Sequence, residues 1–135
     1  MKILIATHGK MADGVKSTLG LFLNNENIQC VNAYIDDHDY QEDLLSFIDS
    51  VEDADTGIIF TDMIAGSVNQ KVMLLNKKDN IKVISGFNVP LIMEIILCDL
   101  KTDEEIENAI IQAREQMQLV KIVSSKEETE DSFLD

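Results

Sequence analysis

His8 stands between Thr7 and Gly9, directly after the apolar run Ile3-Leu4-Ile5-Ala6. An imidazole on a glycine turn at the end of a strand can act as a nucleophile or simply occupy the turn, and the tripeptide alone favours neither. Two further loops carry complementary groups. Asp62 follows the apolar run Gly57-Ile58-Ile59-Phe60-Thr61 and precedes Gly66 and Ser67, and the segment Gly86 to Pro90 follows Ile81 to Ser85. Such a set suits a phosphohistidine. One ring nitrogen is free to attack, while the other donates to a carboxylate that fixes the tautomer and steadies the cationic ring. Asp62 is the candidate carboxylate. Phosphate oxygens would be met by backbone amides at a helix start and by the hydroxyl of Ser67 or Thr7. Gly9 and Gly66 would let the backbone approach closely. Lys10 is the only cation in these loops, so a phosphoryl group would be held weakly enough to be passed on.

These groups meet only if the three loops share one edge of a sheet, and the pattern of elements predicts that they do. Residues 2 to 6 form a strand; Ala12, Val15, Leu19, Phe22 and Leu23 fall at helical spacing, with the helix ending near Asn24-Asn25. Ile28 to Ile35 reads as a second strand, Asp36 to Asp39 as a polar loop, and Tyr40, Leu44, Phe47, Ile48 and Val51 as one face of a second helix. The run 57–61 is apolar throughout, as in a strand buried on both faces. Ser67 is a suitable N-cap for a helix burying Val68, Val72, Met73 and Leu75. After the strand Ile81 to Ser85, Pro90 suits the first turn of a helix carrying Leu91, Ile92, Ile95 and Ile96. Thr102-Asp103-Glu104-Glu105 has the form of a capping box and opens a last helix with Ile106, Ala109 or Ile110, Ala113 and Met117 on its buried stripe.

The expected fold is an α/β three-layer sandwich, its central, mainly parallel sheet of four strands flanked by helices. Right-handed crossovers bring the carboxyl ends of parallel strands to one edge, where such sheets place ligands. Leu119 to Val123 would add a short antiparallel edge strand, paired within the chain or exchanged with a second subunit. One domain covers 1–124, and 125–135 reads as an acidic, mobile tail.

Composition narrows the function classes. The chain has 135 residues, 45% of them hydrophobic, and a formal net charge of -14. That charge excludes sequence-independent binding to nucleic acid and favours a basic protein partner. No apolar run approaches the ~20 residues of a membrane span, so a cytoplasmic protein without membrane insertion is expected. Cys30 and Cys98 lack metal-type or redox-pair spacing and read as buried, reduced thiols. His38, among Asp36, Asp37 and Asp39, lacks the alternating ligands of a calcium loop and reads as solvated. No metal and no cofactor are expected.

With these pieces placed, the chain resembles the IIA domains of the mannose-type sugar phosphotransferase system over nearly its whole length. Thr7-His8-Gly9-Lys10-Met11-Ala12-Asp13-Gly14 is similar to the family's active-site segment. Asp62 to Ser67 resembles its Asp-x-x-Gly-Gly-Ser-Pro loop, and Gly86-Phe87-Asn88-Val89-Pro90 its Gly-x-Asn-x-Pro segment. Ala65 replaces the first glycine of that loop and Val68 the proline. The resemblance implies that His8 accepts a phosphoryl group from the phosphohistidine carrier HPr. His8 would then hand it to a histidine of a IIB component, and so serve the membrane components IIC and IID in sugar uptake. It implies that Asp62 partners His8, that Ser67 lies near the phosphate, that Asn88 and Glu94 stand behind the site, and that the protein is a homodimer.

Other functions keep part of this pattern. The phosphotransfer subunit of a dihydroxyacetone kinase resembles the same family and uses the same histidine chemistry. A receiver module phosphorylated on aspartate needs an acidic cluster after the first strand, where this chain has His8. A histidine phosphatase needs a nearby arginine, and Arg114 is the only one. A non-catalytic regulatory module of the same fold would have no need of His8 and Asp62.

Overall fold

The computed structural model describes residues 1–123. Strands and helices alternate: β1 (Lys2–His8), α1 (Met11–Leu19), β2 (Ile28–Ala33), α2 (Tyr40–Ser50), β3 (Gly57–Thr61), α3 (Ser67–Leu75), β4 (Ile81–Ser85), α4 (Val89–Leu97) and α5 (Asp103–Arg114). The four strands are all parallel, in the order β2-β1-β3-β4. The chain is therefore an α/β sandwich with a parallel central sheet.

Strand burial follows from position. β1 and β3 are central and almost wholly buried, as their continuous apolar runs require, whereas β2 and β4 lie at the edges and are only partly buried. Ile3, Ile5, Ile58 and Phe60 face one core with residues of α1, α4 and α5, while Leu4, Ala6 and Ile59 face the other with residues of α2 and α3. The order 2-1-3-4 makes the chain turn one way from β1 to β2, then cross back over β1 to reach β3. The crevice beyond the carboxyl ends of β1 and β3 is thus the topological switch point, the place where open α/β sheets hold ligands. Lysine ammonium groups close the carbonyl end of α2: Lys78 Nζ donates to Ile48 and Val51 carbonyls, at 2.8 and 2.7 Å, and Lys2 Nζ to that of Ser50 at 2.9 Å.

Pro90 sits in the first turn of α4, and Thr102 with Glu105 forms a reciprocal capping box at α5, both as the sequence predicts. Elsewhere local contacts redraw the boundaries. α1 stops at Leu19, well before Asn24-Asn25, and the Asn25 side chain folds back over its last turn to donate to the Lys16 carbonyl at 2.9 Å. Phe22 is consequently exposed, although Leu23 returns to the core. β2 ends at Ala33 rather than Ile35, since Tyr34 turns into the left-handed region at φ 67°.

The expected strand Leu119 to Val123 does not form in the single chain. α5 ends at Arg114, and Leu119, Val120 and Ile122 are exposed while the outer edge of β4 carries no further strand among the described residues. The expected tail at 125–135 lies outside the described residues. No helix among the described residues is long and apolar enough to cross a membrane.

The cysteines differ from each other, and Cys98 differs from expectation. Cys98 is exposed at the C-cap of α4, where the helix has already left the core. Cys30 is half-buried, its Sγ 3.4 Å from the Ala12 carbonyl, and burial followed by the charge of Asp13 pushes its thiol up to about 11. Because the thiolate is the reactive form, an aromatic disulfide reagent at pH 8 should modify Cys98 promptly and Cys30 only after denaturation. Equal rates for both thiols in the native protein would contradict this environment.

Candidate active site

β1 delivers His8 to the crevice and the next residue turns the chain away. Gly9 has φ +62°, a conformation that L side chains rarely adopt, and its N–H donates to the Ala33 carbonyl at 2.8 Å. β3 ends beside β1, with Ala6 opposite Thr61, so Asp62 emerges next to the imidazole.

Asp62 Oδ2 accepts two hydrogen bonds from His8, one from its backbone N–H and one from Nδ1, each 2.9 Å long. Oδ1 accepts from the Met63 N–H at 3.0 Å. Burial pushes the Asp62 carboxyl up, but the His8 backbone N–H, the imidazole and the nearby amide outweigh it and leave the group below its ordinary value. An ionised carboxylate only accepts, so the proton of the neutral ring lies on Nδ1 and Nε2 keeps its lone pair. Nε2 faces Ser67 Oγ at 3.1 Å. The two side chains are shielded unequally, with 33% of His8 exposed against 9% of Asp62, so a partner molecule can reach the ring but not its counter-ion.

Gly66 makes room for this ring. A Cβ there would stand 3.0 Å from His8 Cε1 and 3.3 Å from the Met63 carbonyl. Its extended backbone caps α3, and Ser67 is the first helical residue rather than the N-cap, so the Ser67 hydroxyl turns to His8 instead of to a helix amide. The amides expected to cradle phosphate at Gly9 and Gly66 are engaged, the second with the Met63 carbonyl at 3.1 Å. The first turn of α3, which opens with Ser67 beside the ring, offers amides without backbone partners, and there the helix dipole also favours an anion.

Other expected site residues lie elsewhere. Thr7 is fully buried and its hydroxyl accepts from the Ala12 N–H at 2.9 Å, which caps α1 in place of Lys10, whose own side chain makes no cap. Thr7 therefore supports the His8 turn from beneath and does not face the crevice. Asn88 is the N-cap of α4: Oδ1 accepts from the Leu91 N–H at 3.0 Å and Nδ2 donates to the Ala113 carbonyl at 2.8 Å. Both ends of its amide are used in tying α4 to α5. Glu94 is half-buried in the body of α4 and makes no side-chain hydrogen bond among the described residues. His38 pairs with Asp43 at the surface, 2.9 Å apart, both about half exposed.

Tyr34 is the residue that sequence reasoning missed. Its ring stacks on His8 with centroids 5.5 Å apart and an interplanar angle of 24°, and its hydroxyl lies 2.9 Å from Ser67 Oγ. The signal was positional: His8 pairs with Ala33, so the residue after Ala33 must leave the sheet beside the imidazole.

Residues 2–113 match the family model described as the PTS system fructose IIA component, where PTS denotes the sugar phosphotransferase system. The chain belongs to this family of PTS IIA components. Among solved structures it is similar to a phosphoenolpyruvate-dependent PTS permease from Klebsiella pneumoniae, with 25% identity, a TM-score of 0.78, and coverage of 87% of this chain and 89% of that one. The component EIIA from Streptococcus agalactiae shares the fold at 24% identity, TM-score 0.70, and 87% and 95% coverage. So does the mannose/sorbose-specific IIA subunit from Enterococcus faecalis, at 14% identity, TM-score 0.69, and 91% and 96% coverage. No protein of curated function matches the chain in sequence.

The depressed Asp62 carboxyl gives this IIA component a signature in acid. Its pairing contributes full stability above the unfolded value of about 3.9 and loses that contribution as the pH falls through the lower folded value. Denaturant unfolding between about pH 5 and 2 should therefore show a shallower loss of stability for Asp62→Asn than for the native protein. Parallel curves would mean that Asp62 is not the ionised partner.

Proposed function

We propose that His8 Nε2 accepts a phosphoryl group from phospho-HPr and passes it to a histidine of a IIB component during sugar uptake. The observation that carries this reading is the Nδ1–Asp62 pairing, which leaves Nε2 as an exposed nucleophile. In the forward step the Nε2 lone pair forms the new N–P bond. The donor's P–N bond breaks and its electron pair returns to the donor ring. No proton need leave Nε2, because the Nδ1–H tautomer has none there. The cationic ring that results keeps Nδ1–H against the Asp62 carboxylate, and the same charge makes the ring a good leaving group in the second transfer. Catalysis of this kind is mostly positioning and electrostatic stabilisation.

The phosphoryl oxygens would meet the Ser67 hydroxyl and the first-turn amides of α3. With hydrogen bonds rather than a guanidinium clamp, the phosphoryl group stays transferable. The net charge of -14 suits a basic donor protein and opposes nucleic acid. On this reading the protein is a cytoplasmic carrier with no metal and no cofactor, and it reaches IIC and IID only through IIB.

The same reading includes a homodimer. The outer edge of β4 and the neighbouring face of α5 border a cavity of about 220 Å³ lined by Val83, Ile84, Ile110 and Met117, among others. An unpaired strand edge is a template for pairing, and Leu119, Val120 and Ile122 form an exposed apolar segment. Residues 119–123 of a second copy are the proposed occupant.

Incubated with phosphoenolpyruvate, enzyme I and HPr, the protein should become an acid-labile, base-stable phosphoprotein, and His8→Ala should abolish the label. Asp62→Asn can donate to Nδ1 and so favours the unreactive tautomer, slowing transfer by roughly 10²–10⁴-fold with the fold intact. Undiminished labelling of His8→Ala would overturn the reading. In sedimentation the native protein should run at twice its 15.1 kDa chain mass. Val120→Asp with Ile122→Asp should shift it to monomer, whereas a native monomer would remove the strand exchange.

A further inference from the structure

We propose that Tyr34 is a positioning residue, one that holds the Ser67 hydroxyl as a donor aimed at His8 Nε2 and then at the phosphoryl group bound there. This rests on the reading of His8 as the phosphoryl acceptor. The inference follows from proton accounting. Asp62 is ionised, so in the neutral imidazole Nδ1 carries the ring proton and Nε2 can only accept. Ser67 Oγ, 3.1 Å from Nε2, must therefore donate to it. With its one proton committed, Ser67 can only accept from Tyr34, whose hydroxyl is 2.9 Å away. The Tyr34 oxygen in turn accepts from Tyr40, at 3.3 Å. Burial, and then its bond to Tyr34, push the Tyr40 hydroxyl up to about 12, so it keeps its proton. The chain of hydroxyls thus has one direction, from Tyr40 through Tyr34 and Ser67 to the imidazole.

Backbone and ring geometry agree that Tyr34 is held there. Its φ of 67° is costly for a bulky residue, and 60% of the residue is exposed, so core packing does not account for the conformation. What the turn gains is the stack on His8 and the hydroxyl contact with Ser67, with Tyr40 set edge-on behind at 5.3 Å. When Nε2 attacks, its lone pair becomes the N–P bond and the Ser67 proton loses its acceptor. Tyr34 still donates into Ser67 Oγ, so that proton has to turn to a phosphoryl oxygen rather than back to Tyr34. Water could satisfy Ser67 in place of Tyr34, but it would not fix the direction.

Tyr34→Phe keeps the ring and removes only the hydroxyl. In unphosphorylated protein carrying ¹⁵N-histidine, the His8 Nε2 resonance should move towards that of a lone pair free of a hydrogen bond, while Nδ1 remains protonated. Phosphoryl acceptance should slow by roughly 5–10-fold, the worth of one neutral hydrogen bond. Ser67→Ala should slow acceptance by at least as much, and adding Tyr34→Phe to it should have no further effect, because Tyr34 acts through Ser67. An unmoved Nε2 resonance together with a rate within twofold of native, or additive effects in the double variant, would overturn the proposal. If native protein takes no label at His8, the phosphotransfer reading fails, and the Nε2 resonance alone then decides whether Tyr34 orders the hydroxyl chain.

Discussion

The ionised carboxylate of Asp62 is the constraint on which the rest of the site depends. Its Oδ2 binds both the backbone and the ring of His8, so one atom fixes where β1 ends and which nitrogen holds the proton. The Met63 amide on Oδ1 and the two donors from His8 offset the cost of burying the charge. Because the carboxylate can only accept, the order of protons beyond a neutral ring is determined as well. Nε2 becomes an acceptor, Ser67 a donor and Tyr34 the donor behind it.

Sheet topology provides the location for that pairing. With β1 and β3 adjacent and the crossovers leaving them on opposite sides, no connecting helix fills the space beyond their carboxyl ends. His8 and Asp62 lie 54 positions apart in the chain and still meet at 2.9 Å. The glycines serve this meeting as spacers: Gly9 turns the chain out of β1, and Gly66 leaves clearance for Cε1. The substitution of Ala65 for the family's glycine falls on an exposed loop residue and leaves that clearance untouched.

The site balances stability against use. Tyr34 is held in a left-handed conformation and remains largely exposed, and strain of this kind persists only where surrounding contacts over-determine it. Thr7 and Asn88 work in the opposite sense. Each satisfies an amide at a helix start, so the scaffold under the crevice is capped and rigid. The proposed transfer between proteins would need a firm ring and a reachable nitrogen, and the unequal exposure of Asp62 and His8 is consistent with both.

Local physics was enough for the scaffold. The apolar runs at 2–6 and 57–61 announce central strands, Pro90 and the Thr102–Glu105 box mark helix starts, and the strand-helix alternation puts His8 and Asp62 at one edge. The strands and helix starts rest on residue types within a few positions of chain, and the shared edge follows from the handedness of parallel crossovers. Tertiary structure decided what each polar side chain does there. Thr7 points into the protein because the chain turns at Gly9 and brings the Ala12 amide over it. Asn88 is consumed by a cap and by a carbonyl of α5. Ser67 faces the imidazole because Gly66, one residue earlier, takes the capping position. Tyr34 joins the site through a register between strands, Ala33 against His8, and residues 119–123 lie exposed after α5 while the outer edge of β4 carries no further strand among the described residues. Pairings between distant segments depend on register and packing rather than on residue type, so they exist only once the chain is folded.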